Sequence, residues 1–190
     1  ELAKQLLGRT YDVARPGVVA IYLTGSLPAG CGPHDVAIAL VGKLFKSGYV
    51  KNKVMEFVGP GIASLRQDTR NAIDAMTTET TCLSSIWETD ETTHRFLAVH
   101  GRAADYKKLA PADLAYYDGV VEVDLSAIRP MIALPMHPSN AFTIEELNAN
   151  LEDILHACEQ DVQKLIGRKD VSLDLCSKIE NGKLRVDQGV

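Results

Sequence analysis

The chain has 190 residues, 46% of them hydrophobic and 24% charged, with a formal net charge of −5. That balance belongs to a globular protein of one ordinary domain, or one domain with an arm, able to bury roughly 70% of its unfolded surface. The negative charge leaves no footprint for nucleic acid or an anionic membrane. No apolar run reaches the roughly 18 residues of a membrane span, and no signal-peptide pattern opens the chain.

In chain order, "GVVAIYLTG" (17 to 25) is a continuous apolar run bounded by glycines and predicts a buried strand. Pro33 then opens a helix through "HDVAIALVGKLFKSG", apolar on most of its circumference between Val36 and Val41, with Gly48 just past its end. "KVMEFVG" (53 to 59) predicts a second strand. After "GPGIAS" a helix is expected, with Ser64 and Gln67 as a capping box and Leu65, Ala72, Ile73, Met76, Thr80 and Leu83 at helical spacing. Arg66, Arg70 and Asp74 fall at i, i+4 and i+8, which predicts an exposed row of ion pairs.

"LSSIW" reads as a third strand, and Asp90 as the N-cap of a helix through "ETTHRFLAVH". "GRAADYKKLAPADLAYYDG" is a polar, proline-broken connector. "VVEVDLS" alternates as a strand, and "RPMIALPMHPSN" follows as an extended, proline-punctuated run. Thr143 and Glu146 cap a long helix with Ile144, Leu147, Leu151, Ile154, Leu155, Cys158, Val162, Leu165 and Ile166 on its apolar face. Asn181-Gly182, between short alternating runs, predicts a type I′ hairpin. Strands and helices alternate through the first hundred residues, so an α/β layered sheet is the favoured class.

The residues that could carry chemistry are few. The glycine loop 59 to 64 could hold an anion on free N–H groups, or could serve a tight strand-to-helix turn. It meets neither the dinucleotide nor the phosphate-loop pattern. His94 and His100 are six apart, about 240° out of phase on a helix, and cannot share a metal. His34, His137 (in a proline-rich loop beside Ser139) and His156 read as structural or solvated. Cys31, Cys82, Cys158 and Cys176 lie far apart with no C-x-x-C pair. Their spacing gives no metal site, and reduced thiols of a cytoplasmic protein are the expected reading. Glu79 is different: it stands between Thr77-Thr78 and Thr80-Thr81 at a helix end whose dipole disfavours a carboxylate. It is either a surface side chain or a position kept for a task.

Two long stretches, "LTGSLPAGCGPHDVAIALVGKL" and "VMEFVGPGIASLRQDTRNAIDAMTTETTCLSSIWETDETT", resemble the aconitase superfamily, which includes aconitase, homoaconitase and the large subunit of isopropylmalate dehydratase. "VVEVDLSAIRPMIALPMHPSNAFTIEEL" resembles the family's next strand, its I-x-P extension and the proline loop before a helix. The resemblance covers about residues 6 to 148 and is ungapped from Leu23 to Thr81.

The resemblance implies a three-layer α/β/α domain, the second of three related domains around a [4Fe-4S] cluster, in a hydro-lyase of hydroxy-polycarboxylic acids. One cluster iron acts there as a Lewis acid on the substrate hydroxyl and carboxylate. Carried over residue by residue, Glu79 matches the family's active-site glutamate, the active-site asparagine falls on Ala75, and His34 stands where a lysine is usual. The family's Asp-Ser-His segment belongs upstream of Glu1 and its cluster cysteines beyond Val190. The chain, which opens on Glu1 rather than Met, therefore reads as a domain (1 to 168) plus a linker arm or hairpin (169 to 190) of a larger protein. It is expected to hold no cluster or metal and to be inactive alone. Its partners are a small hydroxy acid and the other domains of the same protein, with no nucleic acid or membrane. The alternative is a catalytically degenerate binding or regulatory module, favoured by Ala75.

Overall fold

A computed structural model describes residues 2–189. A short helix α1 (Leu2–Leu6) precedes β1 (Val18–Thr24), which is the middle of the fold. β1 pairs in parallel with β2 (Val54–Val58) on one side and with β4 (Gly119–Asp124) on the other; β3 (Ser84–Trp87) extends the sheet beyond β2. The order β3-β2-β1-β4 is all parallel, so each return must cross over, and helices α2 (Pro33–Leu44) and α3 (Gln67–Ala75) make the first two crossings. This is the α/β architecture, a parallel sheet flanked by helices, that the pattern and the resemblance imply.

The core lies on the face that carries Val19, Ile21 and Leu23 of β1 and Met55 and Phe57 of β2. Val36, Leu40 and Leu44 of α2 and Ile73 of α3 pack against it. All four of the helix residues Val36, Ala37, Leu40 and Val41 are buried, as their apolar run requires. Each fully buried Val, Leu, Ile, Met or Phe contributes about 1.5–3 kcal/mol, so this cluster supplies most of the drive to fold. Asp35 starts α2: one carboxylate oxygen accepts the Gly32 N–H at 2.7 Å, and the other accepts the Met131 N–H at 2.7 Å. A single side chain thus caps the helix and anchors the distant strand β5 (Met131–Ala133).

β5 pairs antiparallel with β6 (Ala141–Thr143), turning the extended proline-punctuated run into a small hairpin. Gly42 is the reason α2 can lie against it. A Cβ there would stand 2.7 Å from the Ala141 methyl carbon. Gly59 (φ +105) and Gly61 do the same for the sheet, because a Cβ at either would strike the Leu23 backbone at 2.6 or 2.9 Å. The glycine loop therefore serves close backbone approach, and its Ile62 and Leu65 N–H groups are already bonded to Gly59 and Ile62 carbonyls.

Three expectations at α3 fail. The Ser64–Gln67 capping box does not form, because residues Pro60–Ser64 make a 3₁₀ turn and the Ser64 hydroxyl donates to the Gly61 carbonyl at 2.7 Å. α3 starts at Gln67 after an extended Arg66. The ion-pair row does not form either. Arg70 is 1% exposed and donates to the Leu65 and Ile62 carbonyls and, at 2.6 Å, to Asp90. Arg66 instead pairs with Asp68 at the surface. The helix also stops at Ala75 rather than running to Leu83. Thr77 and Thr80 donate to the carbonyls three residues back, at 2.7 and 2.6 Å, which tightens Thr77–Thr80 into a 3₁₀ turn. Thr81 (φ 63) then ends it in the left-handed region.

Asp90 caps α4 (Glu91–Val99) as predicted, accepting the N–H groups of Thr92 and Thr93. The predicted long C-terminal helix is two helices, α5 (Ile144–Ala149) and α6 (Leu151–Ile166), with Asn150 (φ −134) between them. The Thr143–Glu146 capping box is present. The break lets Leu147 and Leu151 both enter a second cluster with Leu134, Leu155 and Cys158, while Ile144, Leu165 and Ile166 stay exposed. Asn181 (φ 53) and Gly182 (φ 71) turn β7 (Ile179–Glu180) into β8 (Lys183–Leu184), the expected type I′ geometry, and Ile179 and Leu184 pack on the second cluster. No helix among the described residues is long and apolar enough to cross a membrane.

Arg70 and Asp90 give a testable asymmetry. Partial burial, the largest influence, pushes the Asp90 carboxyl upward. The Arg70 hydrogen bond, the Thr93 and Thr92 N–H groups and the Arg70 charge outweigh it and hold the group below its ordinary value. A carboxyl depressed in the folded state stabilises fully above its unfolded pKa, and that contribution is lost as pH falls through the folded value. Asp90→Asn keeps the helix cap and removes the charge. It is expected to lower stability in urea by about 2–3 kcal/mol at neutral pH, below the full cost of breaking a buried pair because Asp90 still reaches water. The gap to the parent should then narrow as pH falls below about 4. A constant gap down to the acid limb would show that the ion pair contributes nothing.

Candidate functional site

Glu79 is presented at the amino edge of the sheet. α3 runs back from the carboxyl ends of the strands, and the turn Thr77–Thr80 arrives beside the starts of β2 and β3. There Asn52 N–H meets the Thr81 carbonyl at 3.0 Å and Leu83 N–H meets the Lys53 carbonyl at 2.8 Å. Thr77 and Thr80 face inward, 5% and 0% exposed, while Glu79 between them is about half exposed. The threonine-rich stretch is therefore a tight turn with two hydroxyls buried and bonded, built so that one carboxylate projects from it.

What fixes the turn is Asp74, in the last turn of α3. Its Oδ1 accepts the Trp87 indole N–H at 2.9 Å and the Ser85 hydroxyl at 2.5 Å, and Ser85 in turn contacts the Thr77 hydroxyl at 2.9 Å. Trp87 lies flat on Phe57 of the core, with ring centroids 4.0 Å apart and planes 1° from parallel. The end of α3 is thus clamped to β3 and, through the rings, to β2.

A second element completes the site. The loop between β5 and β6 carries His137, whose Nε2 is 3.6 Å from Glu79 Oε2. The imidazole stacks on Phe45, the residue that ends α2, with centroids 3.9 Å apart and planes inclined by 28°. Ser139, 7% exposed, closes the other nitrogen: its N–H donates to Nδ1 at 3.1 Å and its hydroxyl lies 3.0 Å away. The sequence singled out Glu79 but left His137 without a task. Its only signal was position in a proline-bounded loop, and that does not tell which helix end the loop covers.

The remaining candidates do not converge. Ala75 is exposed at the last position of α3, one turn before Glu79, and brings no polar group. His34 is exposed. His94 pairs weakly with Glu91 and tilts on Tyr106, whereas His100 donates from Nδ1 to the Phe96 carbonyl. His156 lies against the Glu152 carbonyl and near Cys176.

The four free thiols do not fit an iron-sulfur cluster. Cys31 is at the Ile128 carbonyl, Cys82 at the Thr77 carbonyl, Cys158 at the Pro135 carbonyl and Cys176 beside His156. Burial first, then neighbouring acids, push the Cys158 and Cys176 thiols up, away from the thiolate a metal needs; Asn140 only partly offsets this at Cys158. Among the described residues no three His, Cys, Asp or Glu side chains gather as a metal site.

Residues 1–188 match the family model described as the aconitase family (aconitate hydratase). Aconitate hydratase A of Thermus thermophilus is 30% identical over 156 residues, which are 75% of this chain and 17% of that protein. The large subunit 2 of 3-isopropylmalate dehydratase from Archaeoglobus fulgidus is 31% identical over 132 residues, 70% of this chain and 32% of that one. The 2,3-dimethylmalate dehydratase large subunit of Eubacterium barkeri is 30% identical over 132 residues, again 70% of this chain and 31% of its own length. The chain thus spans from 17% to 32% of the length of these relatives.

The clamp makes its own prediction. Asp74→Ala leaves the Trp87 N–H and the Ser85 hydroxyl without their acceptor, at a cost of about 1–3 kcal/mol for a buried unpaired group. Urea unfolding followed by fluorescence of Trp87, the one tryptophan, should show that loss together with an altered native emission. Unchanged stability and emission would mean that Asp74 does not fix the turn.

Proposed function

Because the chain belongs to the aconitase family, we propose that it is an α/β domain of a hydro-lyase that removes water from, and adds it to, a hydroxy-polycarboxylic acid, with Glu79 as a catalytic carboxylate. One observation carries the reading. A carboxylate on a 3₁₀ turn clamped by Asp74, at the position that the resemblance assigns to the family's glutamate, stands half exposed at the edge of the sheet. Curated relatives named aconitate hydratase, 3-isopropylmalate dehydratase and 2,3-dimethylmalate dehydratase support the reaction class.

In this reading Glu79 handles the proton of the hydroxyl that leaves. In dehydration the C–O bond breaks and Glu79 supplies the proton that lets hydroxide depart as water. In hydration it accepts a proton from the water that adds. The proton on the carbon beside the substrate carboxylate goes to a base outside these residues. A [4Fe-4S] cluster belongs to the proposal for the intact protein, with ligands outside this chain, because the thiols present here do not fit that task. Residues 1 to 168 are assigned to the domain and 169 to 190 to an arm toward the next one. The four free thiols support a cytoplasmic, reducing setting.

Ala75 favours a second reading, a family member that keeps the scaffold as a binding or regulatory module without the reaction. The intact protein, tested against citrate, methylcitrate, homocitrate and isopropylmalate, separates the two. Turnover of one of these acids is expected, with none from the 190-residue chain alone. Glu79→Gln in the intact protein should lower kcat by about 10²- to 10⁴-fold, the usual cost of losing a positioned proton-transfer group. No turnover of any of the four would favour the binding module, and full turnover by the Gln variant would refute the role of Glu79.

A further inference from the structure

We propose that His137 is the positioning residue for Glu79, an assignment that rests on the hydro-lyase reading above. A backbone N–H can only donate, so the Ser139 N–H at 3.1 Å requires a lone pair on His137 Nδ1 and leaves the ring proton on Nε2. Nε2 is the nitrogen that faces Glu79 Oε2 at 3.6 Å. The direction of that donor is fixed before any substrate arrives, because Phe45 stacks on one face of the ring and the buried Ser139 closes its far side.

The two halves of the pair are anchored independently. Glu79 hangs from the clamp of Asp74 on β3. His137 hangs from the β5–β6 hairpin, which lies against α2 through the Gly42–Ala141 approach and the Asp35–Met131 bond. Neither anchor depends on the other. The separation of 3.6 Å is just beyond a formed hydrogen bond, and contacts of this kind are often long without substrate and close in the complex. The physical consequence is directional. Closing on Oε2 in the complex, the Nε2–H leaves Oε1, bonded to nothing among the described residues, to face the substrate hydroxyl.

A double-mutant cycle in the intact protein tests this, with kcat and KM measured on citrate, methylcitrate, homocitrate and isopropylmalate and Tm recorded for every variant. His137→Ala should lower kcat about 10- to 100-fold, as loss of an orienting partner does, with KM within about twofold. His137→Gln, which puts an N–H near the same place, should restore most of that loss. In the Glu79→Gln background, His137→Ala should cost less than about twofold, since the group it orients is gone. Equal costs in both backgrounds would overturn the proposal while leaving Glu79 catalytic. So would a Gln variant no better than Ala, or a rate loss that only follows a lowered Tm. Full activity of Glu79→Gln alone would instead overturn the reading of Glu79 and this one with it.

Discussion

Asp74 receives the Trp87 indole N–H and the Ser85 hydroxyl on one oxygen, and Ser85 passes the contact on to Thr77. The place of α3's end, and of the turn that carries Glu79, depends on that oxygen. A helix that simply frayed here would leave the next residues free to sample many turns. The clamp instead stops α3 at Ala75, lets Thr77 and Thr80 satisfy their hydroxyls on carbonyls three residues back, and sends Glu79 out at the sheet edge. Stacking of Trp87 on Phe57 transmits the rigidity of the core to the same point.

Stability and placement have different sources in this domain. The apolar cluster of β1, β2 and α2 supplies the free energy, at about 1.5–3 kcal/mol per buried side chain. Buried and half-buried charges contribute less net energy, because desolvation offsets most of their attraction, but they fix direction. Arg70 ties the 3₁₀ turn after β2 to the cap of α4, Asp35 ties the start of α2 to β5, and Asp74 ties the end of α3 to β3. In open parallel sheets ligands commonly bind beyond the carboxyl ends of the strands, at the point where strand order reverses. Here that point lies between β1 and β4, and it is occupied by local contacts: Asp124 accepts the Ser126 N–H, and the Ser126 hydroxyl accepts the Ser26 N–H. The proposed site lies at the opposite edge, assembled from helix ends and a loop.

Much of the fold was legible in the sequence because its signals are local. The strand at 18–24, the Asp90 and Thr143 caps and the Asn181-Gly182 turn each follow from a few adjacent residues. The misreadings came where a side-chain bond or a backbone break overrides the apolar spacing. The spacing of Arg66, Arg70 and Asp74 defines one helix face, but only Asp90 and the Ile62 carbonyl make that face an inward one at Arg70. Helical spacing continues past Ala75, yet threonine hydroxyls compete for the carbonyls and the helix yields. Asn150 similarly splits a helix whose apolar spacing alone runs on. Glu79 stood out by its flanking threonines and by family position. His137 did not: Ser139 is its neighbour in the same loop, but Phe45 and Glu79 belong to other elements, brought to that loop only by the packing of the β5–β6 hairpin on α2.

The proposed role of Glu79 requires it to face a bound hydroxy acid. A crystal structure of the intact protein with one of the hydroxy acids bound measures that directly. A Glu79 carboxylate oxygen is expected within about 2.6–3.2 Å of the ligand's hydroxyl, with the Asp74–Trp87 contact kept. A ligand bound elsewhere, with Glu79 left in solvent, would contradict it.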